Sequence, residues 1–254
     1  MSVELISEAE SSELAQFSLA FAAPDGELQR APLSRCWSVA FEDCLPVRAF
    51  VSYKGQKNFP GLRWLATTSR HVGYESWLER DAVTLLDHDV RIVGLASQPF
   101  TLYWRDGRGD ERRHTPDYFA RVVDGSALVV DVKPVARVRQ RDAEAFAMTA
   151  RMCDVVGWTF RHIAEQDPVL LANLRWLAGY RHPRNGRASL TAAILGAFAV
   201  PTALFDGAAA VGDPIGVLPA IYHLLWRQVL STDLALTPLN SSSLVWCNHG
   251  SDTA

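Results

Sequence analysis

Three short stretches hold residues whose types and spacing suit hydrolytic chemistry: Pro116-Asp117, Asp131-Val132-Lys133, and Glu79 in a helical segment. Alternate residues of a strand point the same way. In the run LVVDVK, Asp131 and Lys133 therefore share one face, while Val132 points into the opposite layer. Asp117 heads the preceding strand-like run, and Asp124-Gly125 between the two runs is a hairpin-turn pair. Folding through that turn brings Asp117 close to the end that carries Asp131. Two or three converging carboxylates are what Mg²⁺ asks of a protein. A Lys beside them orients or helps deprotonate a water, and the set suits metal-assisted hydrolysis of a phosphodiester.

Taken singly these signals are weak. Alternating charges are common on a half-exposed strand, Pro-Asp usually marks a turn, and a helix Glu is usually solvated. Their order is the stronger signal, so the elements that must position them matter. The spacing of Trp77, Leu78, Ala82, Leu85 and Leu86 predicts an amphipathic helix over 73–87. Strands are expected at 92–95, 100–104, 116–123 and 127–133, with a polar Gly-rich turn after the second. A helix is expected over 137–156 and a strand over 158–162. Asp167-Pro168 then opens a helix that ends near Tyr180, with Asp at the N-cap and Pro at the first helical position. Upstream, FSLAFA and VRAFVSY are strand-like, and 1–14 reads as an acidic tail. Cys153, Trp77 and Trp176 read as core residues.

Composition bounds the answer. The chain has 254 residues, 48% hydrophobic and 21% charged, enough for one large domain or two small ones and unlike a disordered chain. No apolar run approaches the roughly 20 residues of a bilayer helix. The start MSVELISEAESSE lacks a basic n-region, so no secretory signal is expected. Cys36, Cys44, Cys153 and Cys247 form no CxxC pair, which argues against a zinc ribbon or disulfide framework and fits a reducing cytoplasm. Net charge is −3, but residues 101–187 carry 15 Lys+Arg against 11 Asp+Glu, so a basic face is available in the middle of an acidic chain. Only three of the 25 basic residues are Lys, which makes Lys133 in an apolar strand notable for its compact ammonium. No GxxxxGK[ST] occurs, so a nucleotide-driven step would need a partner.

The order helix Glu, strand Asp, strand Asp-x-Lys, helix resembles the PD-(D/E)xK nuclease superfamily. More closely, YESWLERDAVTLLDHDVRIVGLASQPFTLYW, HTPDYFARVVDG, LVVDVKP and WTFRHIAEQDPVLLANLRWL resemble TnsA-like endonuclease subunits of heteromeric transposases. The likeness covers about residues 60–182. It implies an α/β, restriction-endonuclease-like core, a mixed sheet flanked by helices, over 61–182. An N-terminal extension with strands would span 1–60 and a winged-helix-like helical module 183–254, divided from the core at HPRNG. It implies a Mg²⁺-dependent endonuclease, with Mn²⁺ as substitute and two bound ions, that cuts the 5′ ends of a mobile element. Carried over, Glu79, Asp117, Asp131 and the Val132 carbonyl ligate metal, and Lys133 positions the attacking water. The second acidic position holds Asp131 where the best-known member has Gln, in agreement with the wider superfamily. Glu75, one turn before Glu79 on the expected helix, rivals it; the distance to Leu85-Leu86-Asp87 favours Glu79. Gln98, spaced from that LLD as in the family, would place the strand junction or the DNA. Arg112, Arg113 and His114 before Asp117, and Arg137, Arg139 and Arg141 after Lys133, would line the phosphate backbone; the bland alternative is that Arg is this chain's ordinary surface residue. His114 has a rival reading as a metal ligand. Implied partners are double-stranded DNA, a DDE-type transposase and an ATP-dependent regulator, in a bacterial cytoplasm at the nucleoid. Helical patterns at 188–199 and 215–230, then TDLALTPLNSSSLVW as a hairpin, give the winged-helix outline. Arg227 is the only Lys or Arg after Arg187, so this module suits protein contact or a structural cap better than DNA reading. Alternatives are a stand-alone defence or repair nuclease, a catalytically inactive assembly scaffold, and a module that binds DNA passively.

Overall fold

The computed structural model describes residues 14–48 and 59–248. Strand β1 (Ser18–Ala22) turns into β2 (Leu28–Pro32), and a short helix α1 (Leu33–Cys36) follows. A small hairpin, β3 (Gly61–Trp64) with β4 (His71–Tyr74), leads into α2 (Trp77–His88). Then come β5 (Ile92–Ser97), β6 (Thr101–Arg105), β7 (Glu111–His114), β8 (Tyr118–Val122) and β9 (Ala127–Val132). Helix α3 (Gln140–Val155) connects β9 to β10 (Thr159–Ile163). The remainder is α4 (Pro168–Leu177), α5 (Ala188–Ala197), β11 (Thr202–Ala203), α6 (Leu204–Val211), α7 (Pro214–Trp226), β12 (Leu230–Thr232) and β13 (Leu244–Cys247).

The chain divides into two compact units. The first comprises residues up to Val83 together with Arg91–Glu165; the second comprises Thr84–Val90 and everything from Gln166. The break in the chain thus falls before α4, upstream of the HPRNG stretch.

The first unit is mixed α/β. One sheet has the order β10-β9-β8-β5, antiparallel except for the parallel pair β9–β10. A parallel pair needs a long crossover, and α3 supplies it. The second sheet, β2-β1-β6-β7, is antiparallel throughout. Both sheets share one core. Phe41, fully buried, meets Phe21, Phe100, Phe119 and Trp158 with ring centroids 5.0–5.8 Å apart, edge to face. Strand β9 is apolar along its length because both of its faces are covered, and Asp131 is its one charge. At Gly94, beside the β5 bulge, a Cβ would lie 2.8 Å from Glu42 Cβ, so the close approach requires glycine.

Several sequence expectations need correction. Residues 71–74 are strand, and α2 starts at Trp77 rather than Gly73. The reason is local: Ser76 Oγ accepts from Glu79 N (3.2 Å) and caps the helix there. Glu75 is therefore not on the helix and does not stack above Glu79. Trp77 (49% exposed) and Trp176 (53%) are surface residues, whereas Cys153 is buried as expected. The polar stretch after β6 contains a further strand, β7, paired to β6 rather than to the β8–β9 hairpin. Residues 137–139 precede α3, which begins at Gln140. Residues 1–13 and most of VRAFVSY lie outside the described residues, and Val47 and Arg48 are not in a strand.

In the second unit, Asp167 caps α4 as the sequence predicts, its Oδ1 accepting from Val169 N (2.8 Å) and Leu170 N (3.0 Å). Helices α5, α6 and α7 alternate with a three-stranded sheet of order β11-β13-β12. Buried Asn173 ties down the long β12–β13 connection. Its Nδ2 donates to Leu234 O and Thr237 O, and its Oδ1 accepts from Leu239 N. Among the described residues no single helix is long and apolar enough to cross a membrane.

Candidate active site

The β8–β9 hairpin pairs Tyr118 with Val130. Continuing that register one step sets Asp117 opposite Asp131, as the Asp124-Gly125 turn predicts; Gly125 takes φ 86°, a left-handed conformation suited to glycine. Asp117 Oδ2 accepts from Val132 N at 2.7 Å, which fixes the carboxylate at the end of β9. Its backbone carbonyl accepts from Gln98 N at 2.8 Å, anchoring it to the end of β5.

Asp117 is half-buried, and loss of water around its carboxyl pushes its pKa well above the usual carboxylate range. The negative charges of Asp131 and then Glu79 push it further the same way, against Val132 N–H and Arg48. Glu79 is raised too, first by burial, although hydrogen bonds oppose the rise. Tyr118 is also raised, by burial and then by the charges of Glu79 and Asp117. Its hydroxyl donates to Gly73 O (3.1 Å). So the structure brings Glu79, Asp117 and Asp131 into one electrostatic cluster.

Each carboxylate also has other work. Glu79 Oε2 accepts from Glu75 N (2.7 Å) and Oε1 from Ser76 Oγ (2.9 Å), so Glu79 closes a variant capping box. Asp131 is 3% exposed, and His114 Nε2 lies 2.9 Å from both of its oxygens. Among the described residues no group of three His, Cys, Asp or Glu is arranged as a ready metal-ligand set. The donor chemistry nonetheless fits a hard cation: carboxylate oxygens are its preferred ligands, and a divalent ion relieves the repulsion that Asp117 feels from Asp131 and Glu79.

Lys133 directly follows β9 and is held at three points. Its N–H donates to Ile163 O (3.1 Å), its carbonyl accepts from His162 Nε2 (2.8 Å), and Nζ pairs with Asp142 Oδ1 (2.8 Å). Lys133 holds the Asp142 carboxyl below its ordinary pKa. Asp142 Oδ2 also accepts from Arg139 N (2.9 Å), capping α3. The Lys133 ammonium is thus anchored to α3 rather than paired directly with Asp131. Phe146 of α3 packs against His114 and His162, with centroids 6.1 and 4.9 Å away.

Sequence reasoning missed Arg48. Its guanidinium holds Glu75 in a two-point pair (3.0 and 2.6 Å). The buried Gln98 amide faces it, oxygen toward Arg48 Nη2 and nitrogen toward Arg48 O, both at 3.1 Å. Gln98 itself takes φ 48°, a strained conformation for a residue with a side chain. It therefore organises the strand junction and Arg48. Nothing local in the sequence points to Arg48, which lies 27 residues before Glu75. Ser76-x-x-Glu79 did carry a readable capping signal.

The expected phosphate contacts disperse. Arg112 pairs with Asp106 (2.7 Å) and Asp110 (3.8 Å) in its own hairpin. Arg113 and His114 sit on β7. Arg137 lies in a 3₁₀ turn, Arg139 is the α3 N-cap, and Arg141 is exposed in the first turn.

Neither a protein-family model nor a curated protein matches this chain.

Proposed function

We propose that the chain is a metal-dependent DNA endonuclease with a restriction-endonuclease-like core, acting as the TnsA-like, 5′-end-cutting subunit of a heteromeric transposase. The observation that carries the reading is Asp117: a half-buried carboxylate fixed by Val132 N–H, opposite Asp131 across the β8–β9 hairpin, under the charge of Glu79, with Lys133 just past the end of the adjacent strand. The element order α2, β5, β8, β9, α3, β10 supports it, being the expected helix, strand, strand, helix succession, with Asp117 and Asp131 at the same end of the central strand pair β8–β9. In the second unit, the succession α5, β11, α6, α7, β12, β13 supports a winged-helix-like module.

Asp117, Asp131 and the Val132 carbonyl would hold Mg²⁺ or Mn²⁺, with Glu79 reaching it directly or through water. The cation would neutralise phosphate charge and acidify a water. Asp117 is fixed by Val132 N–H, and Asp131 is oriented by His114. Lys133, held by Asp142, His162 and Ile163, positions the attacking water and stabilises developing charge. The chain's own residues thus arrive preorganised, which is where enzymes gain most of their electrostatic advantage. DDE transposase and ATP-dependent regulator are the proposed partners, with the second unit as their contact.

Nicking of supercoiled plasmid, with the partner subunits added where the chain is silent alone, tests the reading. The wild type is expected to cut with Mg²⁺ or Mn²⁺, and Asp117→Ala and Lys133→Ala to lose at least a hundredfold while remaining folded. Wild-type cutting by either variant rejects the assignment. One observation favours a second reading, the inactive scaffold: the oxygens of Glu79 and Asp131 are already bonded within the protein. Folded, DNA-binding protein without cation-dependent cutting would establish it.

A further inference from the structure

A pocket of about 470 Å³ opens beside the carboxylate cluster and shares Arg48 and His114 with it. Its volume lies within the roughly 300–1,000 Å³ range of small-ligand sites. Its polar wall also includes Arg113, Thr101, Thr115 and Tyr103; the remaining wall is aliphatic. Arg113 forms no ion pair among the described residues. His114 spends Nε2 on Asp131, which leaves Nδ1 toward other partners. The Thr101 and Thr115 hydroxyls lie 2.8 Å apart, so one donates to the other and the second keeps its proton to donate elsewhere. The Arg113 fork and a hydroxyl donor over an aliphatic floor are the chemistry of a phosphate joined to a sugar.

We infer that this pocket seats a phosphodiester of the bound DNA strand neighbouring the one that is cut, held by Arg113 with Arg48, His114 and the threonine pair. The inference rests on the nuclease reading and adds a subsite to it. Glu75 and Gln98 gain a purpose here, because together they hold the Arg48 guanidinium at the pocket rim. The aliphatic side, Ala20, Leu28 and Val47, suits the deoxyribose face and reads no base. Binding there is accordingly independent of sequence.

The test is fluorescence anisotropy of the full chain with a labelled duplex in EDTA, where nothing is cut, across a salt series. Arg113→Ala is expected to weaken binding about tenfold and to flatten the log K against log salt slope by about 0.9, one phosphate's share. Arg113→Lys, which keeps the charge, is expected to retain the slope. Arg108→Ala removes the same charge from the β6–β7 hairpin, outside the pocket, and is expected to change the slope less. Equal affinity and slope for wild type, Arg113→Ala and Arg108→Ala overturn the subsite. If Asp117-dependent cutting persists in that case, the nuclease reading survives alone. Failure of the wild type to bind any duplex even with the partner subunits added overturns both.

Discussion

Asp117 is a half-buried carboxylate under the charges of two others, with one backbone N–H bonded to it. Burying like charges together is unfavourable unless a proton or cation intervenes. Asp117→Asn keeps an oxygen for Val132 N–H and removes the repulsion. The metal-free variant is therefore expected to melt a few degrees above wild type. Wild type is expected to gain stability with added Mn²⁺ through mass action, and the variant to gain none. Calorimetry with and without the ion checks both; equal gains would place the ion elsewhere. Asp142 behaves oppositely. Lys133 holds its carboxyl low, so the stabilisation is present above the ordinary Asp range and is lost as pH falls through the depressed value. Asp142→Asn is expected to cost about 1 kcal/mol at pH 7, combining a cap and a partly exposed ion pair. Urea melts should show that gap closing in strong acid; a gap independent of pH contradicts the assignment. The strand pair Asp117 and Asp131 was legible from an alternating pattern and a turn. Asp142, His162 and Arg48 were not, because each reaches the site from a separate element whose packing no local spacing records.

At the scale of elements, the start of α2 decides how Glu79 is used. Ser76 caps the helix and Glu79 returns two bonds. Ser76→Ala is expected to cost about 1 kcal/mol and to loosen the Glu79 carboxylate, lowering cation affinity as well. The helical pattern was readable, but its first turn was assigned four residues early because Tyr74, a strand residue, shares the apolar character of the helix face. Strand β7 escaped for the converse reason: ERRH is wholly polar and only its ladder to β6 makes it a strand. In the second unit, Gly207 on α6 leaves no room for a side chain, since a Cβ would lie 2.3 Å from buried Phe198 Cζ. Gly207→Ala is expected to destabilise that unit by about 1–3 kcal/mol through overpacking. A thermal melt followed by tryptophan fluorescence reads this at Trp226, which is buried in the same unit.

For the whole molecule, the second unit is discontinuous in sequence. It draws Thr84–Val90 from the middle of the chain. There Asp87 pairs with Arg181 (3.8 Å), and His88 packs on Trp226 and accepts from Gln228 through its carbonyl (2.7 Å). A chain ended at Glu165 would leave the buried Asp87 without Arg181 and His88 without Trp226 and Gln228. It is expected to melt with less cooperativity and to self-associate, which gel filtration and circular dichroism would detect. Sequence alone placed the break at HPRNG, because a Pro-Gly interruption is visible locally and a strip borrowed from another helix is not. The charge division, a basic middle and a stretch after Arg187 whose one basic residue is Arg227, argues that this last stretch does not carry DNA on its own.

Asp117 and Asp131 as holders of a divalent cation can be seen by anomalous diffraction from a crystal soaked in Mn²⁺. A peak is expected between those two carboxylates, within reach of Glu79. No peak there at millimolar Mn²⁺, with His114 still on Asp131 and Ser76 still on Glu79, would rule the cation site out.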